Sequence, residues 1–137
     1  MSVKCTATYE GGLICNVLHE QSGSMIQTEA PLDNKGKGTK FSPTDLVASA
    51  LGACILTIMG IVADNENIDM KGVKVEVTKE MSKDMPRRIS KIDANIIFPE
   101  NINLTDVQKK KLEAAAKGCP VKATIRQDTE INLNFVY

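Results

Sequence analysis

Polar and hydrophobic residues alternate near the start of this chain, a pattern typical of β-strands. The segment "VKCTATYEGGLICNVLHE" predicts a hairpin, because two runs of β-forming residues flank a Gly-Gly pair that accepts the positive φ of a tight turn. If the two glycines form the turn, Cys5 lies opposite Leu18 and Cys15 lies opposite Thr8. The two thiols then project from opposite faces and are poor disulfide partners. The segment "SMIQTEA" predicts a third strand.

The middle of the chain holds a long apolar segment without a charged residue from Leu46 to Ala63. Ser42 is a good helix N-cap and Pro43 suits the first helical position, so a helix is predicted from there to about Asn65. Because the segment is apolar nearly all round, we expect burial on several sides. A membrane span is the competing interpretation, since roughly 20 apolar residues cross a bilayer. Small residues dilute the segment and strand-like sequence flanks it, which favours a core helix.

The remaining segments predict strands and shorter helices. "GVKVEVTKEM" and "RRISKIDANIIF" predict two strands, and "TEINLNFVY" predicts a closing strand. "NLTDVQKKKLEAAAKG" predicts a surface helix, with a capping box at Thr105 and Gln108 and a stop at Gly118. "CPVKATIRQ" predicts a short helix that begins at Pro120. Strands and helices do not alternate singly in this order, so the fold class is predicted to be α+β.

Composition narrows the class of protein. The 137 residues suit one domain with one core, expected to span residues 1–137. Seventeen basic and seventeen acidic residues balance, so no binding to nucleic acid or to a membrane surface is predicted. No basic region precedes an apolar stretch at the start, so no signal peptide is predicted and a cytoplasmic location is expected. Structural disulfides are uncommon there, so the four cysteines are expected to be free, catalytic or redox-active.

Several ligand motifs fail on spacing. The segment "GKGT" after Lys35 suggests a phosphate-binding loop, but no glycine stands five residues before Gly36, so a surface loop is predicted. No C-x-x-C occurs and the single histidine, His19, falls on a predicted strand, so no metal site is expected. No G-x-S-x-G elbow supports a serine hydrolase.

Two cysteines are candidates for chemistry. Cys54 lies in the middle of the predicted long helix, where a cysteine is either a small buried hydrophobe or a thiol kept in a dry pocket. Cys119 precedes Pro120 at a predicted helix N-cap. Free N–H groups and the helix dipole favour a thiolate there, although a plain capping role in a turn is the simpler alternative.

The order of these motifs resembles a known family. "SPTDLVASALGAC" is followed, 65 residues after its cysteine, by "GCPVKATI". This pattern resembles the OsmC/Ohr family, the osmotically inducible and organic hydroperoxide resistance proteins. The resemblance covers most of the chain, because the opening hairpin, the loop, the apolar helix, the two strands and the closing strand occur in the same order.

The resemblance implies an OsmC-like fold, with an antiparallel sheet around a long buried central helix, in an intertwined homodimer. It further implies a thiol peroxidase, a peroxiredoxin-type oxidoreductase of oxidative-stress defence that uses no metal or other cofactor. Cys54 would be the peroxidatic thiolate that attacks an organic hydroperoxide and becomes a sulfenic acid. Cys119 would resolve it into a disulfide, which a dithiol reductant would reduce.

The sequence departs from the best-understood family members at two positions. Those members resemble one another in an Arg directly after the first-hairpin Gly-Gly and a Glu directly after the helix-start Pro, and this pair activates the thiol. The corresponding residues here are Leu13 and Thr44. Thr44 and Asp45 offer a hydroxyl and a carboxylate as polar groups for the pocket, but a carboxylate alone disfavours a thiolate.

Two alternatives therefore stay open beside the peroxidase. One is an OsmC-fold binding protein that holds an apolar or thiol-reactive small molecule and has weak or no peroxidase activity. The other is a different reaction of Cys54, with an electrophilic metabolite as the substrate.

Overall fold

The computed structural model describes all 137 residues, and its elements follow the predicted order of strands and helices. The α+β class is confirmed, with two three-stranded sheets. The chain divides into two compact units, Met1–Val47 and Ala48–Tyr137. The division falls inside helix α1, Pro43–Asn65, which has the predicted bounds. The single domain expected over residues 1–137 stays a prediction.

The amino-terminal unit contains an antiparallel meander of three strands. These strands are β1 (Cys5–Gly11), β2 (Ile14–His19) and β3 (Met25–Glu29). β3 is the third strand that the sequence predicted. A short 3-10 turn, Leu32–Asn34, follows it and was not predicted.

The turn between β1 and β2 lies one residue later than predicted. Gly11 pairs with Ile14, so the two turn residues are Gly12 and Leu13, with φ of 62° and 64°. Positive φ at both positions is the requirement of a type I′ hairpin turn. A β-bulge between Tyr9 and Gly11 then shifts the register once more.

The shifted register changes where two thiols point. Cys5 lies opposite His19 and Cys15 opposite Tyr9, so the predicted cross-strand partners were wrong. A slip of one residue moves a side chain to the other face, and both thiols now project from the same face of the sheet. They remain unsuited to a disulfide, because the partner of Cys5 is four residues along β2 from Cys15 (19 − 15), about 13 Å.

The loop after β3 folds around a buried carboxylate. Glu29 is only 2% exposed. Its carboxylate accepts hydrogen bonds from the N–H groups of Lys37 (3.0 Å) and Thr39 (3.1 Å) and from the Thr39 hydroxyl. Gly36 is required here, since a Cβ on it would lie 1.5 Å from the carbonyl oxygen of Ala30. The "GKGT" segment therefore wraps an anion, but the anion is a side chain of the same unit.

The carboxy-terminal unit contains a mixed sheet. Its strands are β4 (Lys74–Met81), β5 (Ile89–Ile97) and β6 (Glu130–Val136), with β5 in the centre. β4 runs antiparallel to β5, whereas β6 runs parallel to it. The sheet is thus not purely antiparallel, because the chain returns to its edge through two helices, as a parallel connection requires. These helices are α2 (Asp106–Lys117) and α3 (Pro120–Thr124).

Local signals account for the ends of these helices. The Thr105 hydroxyl accepts a hydrogen bond from the N–H of Gln108 (3.1 Å), and the Gln108 side chain accepts one from the N–H of Thr105 (2.9 Å). The predicted capping box is confirmed. Gly118 ends α2 as predicted, and its N–H donates to the carbonyl of Ala115 (3.0 Å).

The core of this unit forms where α1 packs on the sheet and on α2. The largest fully buried aliphatic side chains come from α1, β5 and α2: Leu51, Ile55, Met59, Ile92, Ile96 and Leu112. Gly52 allows the close approach of α1 to β4, because a Cβ on it would lie 3.1 Å from Cγ1 of Val77.

Helix α1 is buried along one face rather than on several. Its buried residues are Ala48, Leu51, Gly52, Ile55, Met59 and Ala63. Ala50, Ala53, Thr57 and Ile61 are exposed, and Ile61 keeps 56% of its surface. By length and composition alone α1 would also suffice to cross a membrane, a test that core helices of soluble proteins pass as well.

Candidate functional site

Cys54 lies on α1 at the edge of its buried face. It is half-buried and packs against the core of the carboxy-terminal unit. Ala53, the residue before it, is exposed, and Ile55, the residue after it, is fully buried. The helix therefore holds the thiol at a boundary between the core and the surface of the unit.

Cys119 lies at the junction of α2 and α3. Gly118 ends α2 and Pro120 occupies the first position of α3, so Cys119 takes the extended conformation between them, with φ −60° and ψ 128°. Its side chain turns into the core and is 1% exposed.

The two thiols meet within the carboxy-terminal unit. Cys54 packs against the core cluster that contains Cys119 and raises the pKa of the Cys119 thiol, so the two side chains lie close together. Both cysteines are free thiols rather than a disulfide. The fold thus brings together two candidate residues that lie 65 positions apart in the sequence. The other two thiols, Cys5 and Cys15, belong to the amino-terminal sheet.

The electrostatics of Cys119 differ from the sequence expectation. Burial raises the pKa of its thiol above the ordinary value, and the hydrogen bond to Cys54 raises this pKa further. The N–H groups of Lys122 and Val121 lower the pKa, which is the effect expected of a helix start, but they are outweighed. The prediction of a favoured thiolate at Cys119 was therefore wrong, since the helix is short and the site is dry.

The start of α1 holds the other two predicted site residues, in the amino-terminal unit. The Asp45 carboxylate accepts a hydrogen bond from the N–H of Ser42 (2.9 Å), and the Ser42 hydroxyl accepts one from the N–H of Asp45 (3.0 Å). The hydroxyl of Thr44 lies 3.2 Å from that of Ser42. Asp45 thus caps the helix, which is a structural use of its charge.

Leu13 lines an apolar cavity of ≈ 280 Å³ in the amino-terminal unit. Its positive φ is uncommon for a large side chain, and its N–H donates to the Tyr9 hydroxyl (3.3 Å). The cavity is lined by residues that include Tyr9, Cys15, Thr28, Pro31 and Pro43. The sequence predicted neither this cavity nor the hydrogen-bond donors around Glu29. Both depend on the register of the β1–β2 hairpin and on the path of the loop after β3.

Fold and site together define a class of protein. It is an α+β protein with one candidate reactive thiol on a long helix and a second thiol buried in the core beside that helix. A model of the OsmC-like protein family matches residues 36–134. The chain belongs to the OsmC/Ohr family, as the order of its motifs predicted.

Solved structures agree with this assignment. A protein from Psychrobacter arcticus 273-4, described as an osmotic stress induced and detoxification response protein, is 41% identical, with a TM-score of 0.91 over 98% of this chain and 96% of that one. An organic hydroperoxide resistance protein OsmC from Legionella pneumophila is 16% identical, with a TM-score of 0.78 over 100% and 98%. The organic hydroperoxide resistance protein OhrB of Bacillus subtilis is 22% identical, with a TM-score of 0.66 over 98% of each chain.

The curated proteins contain no match to this sequence. Three of the structural relatives are themselves named organic hydroperoxide resistance proteins.

Proposed function

We propose that this protein reduces organic hydroperoxides, with Cys54 as the peroxidatic cysteine and Cys119 as the resolving cysteine. The observation that carries the proposal is the packing of Cys54 against the core cluster that contains Cys119, inside the carboxy-terminal unit. The names of relatives from Legionella pneumophila and Bacillus subtilis support it at the level of the family.

The first step assigns the nucleophile to the more accessible thiol. Cys54 is half-buried, whereas Cys119 is 1% exposed and keeps its proton because its pKa is raised. The Cys54 thiolate attacks the distal oxygen of the hydroperoxide and the O–O bond breaks. Cys54 becomes a sulfenic acid, and the leaving alkoxide takes a proton to give an alcohol.

The second step uses the contact between the two cysteines. The Cys119 sulfur attacks the sulfenic sulfur of Cys54, a disulfide forms, and the hydroxyl leaves as water with the Cys119 proton. A dithiol reductant then exchanges with this disulfide and restores both thiols. Because Cys54 packs against the cluster that contains Cys119, the two sulfurs have a short way to move in this step.

The exposed face of α1 supports a further part of the proposal, that two copies of the chain form a homodimer. Ala50, Ala53, Thr57 and Ile61 are uncharged and exposed, and Cys54 lies beside Ala53. A second copy with the same apolar face would cover them and keep water from the thiol. Light scattering is expected to give twice the mass of one chain; a monomer at micromolar concentration would contradict this part.

Hydroperoxide consumption by three single variants tests the chemistry. Cys54→Ser is expected to abolish turnover of cumene hydroperoxide with a dithiol reductant. Cys119→Ser is expected to allow one reaction that leaves Cys54 as a sulfenic acid, detected by mass spectrometry. Cys15→Ser is the matched control, because Cys15 is also half-buried but lies in the other unit. Undiminished turnover in Cys54→Ser would end the proposal.

The second candidate is an OsmC-fold protein that binds an apolar small molecule. The observation that favours it is the apolar cavity lined by Leu13. Leu13 occupies the position at which well-understood relatives have the activating Arg. A thermal shift screen of small apolar compounds tests it, with Leu13→Gln as the variant expected to lose the shift. If no compound raises the unfolding temperature of the parent protein, this candidate loses its support.

A further inference from the structure

The apolar cavity of the amino-terminal unit contains a row of three side chains that carry polar or nucleophilic groups. Tyr9 lies opposite Cys15 on the neighbouring strand, and Cys15 lies opposite Thr28 on the strand after that. Residues directly opposite each other in antiparallel strands project from the same face of the sheet, with Cβ atoms about 5 Å apart. All three residues line the cavity of ≈ 280 Å³. The sheet therefore places a phenol, a thiol and a hydroxyl side by side in one cavity.

The hydroxyl of Thr28 is the buried polar group of this row. Thr28 is only 5% exposed, yet its hydroxyl makes no hydrogen bond within the chain. Every fully enclosed side-chain oxygen or nitrogen of the protein has a partner, so this hydroxyl reaches accessible space, and the space that Thr28 lines is the cavity. A hydroxyl both donates and accepts hydrogen bonds, so the cavity offers a free donor to a ligand.

The rest of the lining determines the kind of molecule that fits. Its apolar walls come from four residues: Leu13, Ala30, Pro31 and Pro43. Glu29 is the one charged residue of the lining, and its carboxylate is already bound by the loop that follows β3. The volume lies just below the range of roughly 300–1,000 Å³ that drug-sized ligands occupy. The cavity therefore suits a small, uncharged and mostly apolar molecule with one hydrogen-bond acceptor.

A thiol beside a hydrogen-bond donor suits one class of such molecules. We propose that the cavity binds small α,β-unsaturated ketones and aldehydes, and that Cys15 forms a covalent adduct with them. Thr28 donates its hydroxyl proton to the carbonyl oxygen. Tyr9 flanks the thiol on the other side, and its own proton is free because its oxygen accepts the N–H of Leu13 (3.3 Å). The proposal rests on the second candidate function, binding at this cavity, and does not involve Cys54.

The reaction is an addition without a leaving group. The Cys15 thiol releases its proton to water and its sulfur forms a bond to the β-carbon, while the electron pair of the C=C bond moves toward the carbonyl oxygen. The Thr28 hydroxyl stabilises the negative charge that develops on this oxygen. The α-carbon then takes a proton from water, which leaves a saturated thioether. Nothing is oxidised or reduced, so the step needs no further reactant.

Labelling with cyclohex-2-enone tests the proposal. Reduced protein is incubated with this probe, and mass spectrometry of peptides follows adducts at each of the four free cysteines. Labelling with methyl methanethiosulfonate, which has no carbonyl group, measures the access and reactivity of each thiol separately. Relative to that reagent, Cys15 is expected to react about tenfold faster with the enone than exposed Cys5 does, because the cavity holds the probe beside the thiol.

A second variant set separates recognition of the carbonyl from packing. Thr28→Val removes the hydroxyl and keeps a β-branched side chain. Enone labelling of Cys15 is expected to fall about tenfold, roughly the effect of one hydrogen bond to a developing charge, while methanethiosulfonate labelling stays at the parent rate. Thr28→Ser keeps a hydroxyl and is expected to keep most of the enone rate. Thr8→Val is the matched control, because Thr8 precedes Tyr9 on β1 and projects from the opposite face.

Three results would overturn the proposal. They are an enone preference at Cys15 no greater than that at Cys5, an equal enone rate in Thr28→Val and the parent, and an equal loss in Thr8→Val. Cyclohexanone, which fits the cavity but has no C=C bond to attack, gives a competition test. In excess it is expected to slow enone labelling of Cys15 and to leave that of Cys5 unchanged.

The binding step and the covalent step fail separately. If cyclohexanone protects Cys15 from methanethiosulfonate but cyclohex-2-enone forms no adduct there, the second candidate function stands and the covalent step is wrong. If neither compound changes the labelling of Cys15, the second candidate function and this inference both lose their support. Neither result bears on hydroperoxide reduction by Cys54, which lies in the other unit.

Discussion

Glu29 and Cys119 are both buried acids, yet their pKa values are displaced in opposite directions. The pKa of Glu29 is lowered, first by the Thr39 hydroxyl and then by two backbone N–H groups, which outweigh burial. The pKa of Cys119 is raised, because burial outweighs its two N–H groups and Cys54 adds to the effect. Burial alone therefore does not decide the charge of a side chain here; the donors aimed at it do.

The largest loss of stability is expected when a carboxylate is placed at residue 119, where burial outweighs the hydrogen-bond donors. Cys119→Asp is expected to destabilise the protein by about 4 kcal/mol at neutral pH, because its carboxylate would be buried with two N–H groups but without a hydroxyl donor like that of Thr39. Urea unfolding measures the change. Ala123→Asp is the control, since Ala123 is exposed on α3, the helix that follows Cys119, and its change is expected within about 0.5 kcal/mol. A loss no larger at residue 119 than at residue 123 would break the comparison.

A smaller loss of stability is expected when the loop that donates hydrogen bonds to Glu29 is distorted. Gly36→Ala is expected to cost about 3 kcal/mol, because the new Cβ would overlap the carbonyl of Ala30 and push the loop away from the carboxylate. Thermal unfolding and limited proteolysis of the loop report the change. Lys37→Ala is the control, since it keeps the N–H that Glu29 uses and removes only an exposed side chain. A parent-like Gly36→Ala would mean that the loop is not held as described.

The pH dependence of stability gives the smallest and sharpest test. The pKa of Glu29 is lowered in the folded protein, so its stabilisation is complete above the ordinary glutamate value of 4.5 and is lost as the pH falls below it. The pKa of Cys119 is raised, so its effect has the opposite sign: stability is lost as the pH rises above the ordinary thiol value of 9.0. Urea unfolding of Glu29→Gln and of the parent is expected to converge at acid pH. A constant gap down to the lowest pH measured would contradict the assignment to Glu29.

Features set by neighbouring residues could be predicted from the sequence. The start of α1 at Pro43, its end at Asn65 and the capping box of α2 depend on local chemistry, and the structure confirms them. The register of β1 and β2 could not be predicted, because Leu13 takes a positive φ that larger residues seldom adopt. The parallel pairing of β6 depends on strands far apart in the sequence, which local patterns do not report.

The candidate site likewise has features that the sequence predicted and features that only the structure could give. Cys54 and Cys119 came from a resemblance between motifs, and their proximity needed the fold. The direction of the Cys119 pKa could not be read from its place before Pro120, because burial is a property of the whole unit. Glu29 lies at the end of a predicted strand, and nothing in that segment indicates that the following loop folds around its carboxylate.

The loop around Glu29 behaves as a receptor with a tethered ligand. Lys37 and Thr39 follow Glu29 by 8 and 10 positions in the chain, so the effective concentration of the carboxylate at these donors far exceeds that of any free anion in solution. A dissolved phosphate would have to displace the Glu29 carboxylate, which is covalently attached to the same chain as the donors. The "GKGT" segment therefore resembles a phosphate-binding loop in that its backbone N–H groups bind an anion, but that anion is the carboxylate of Glu29.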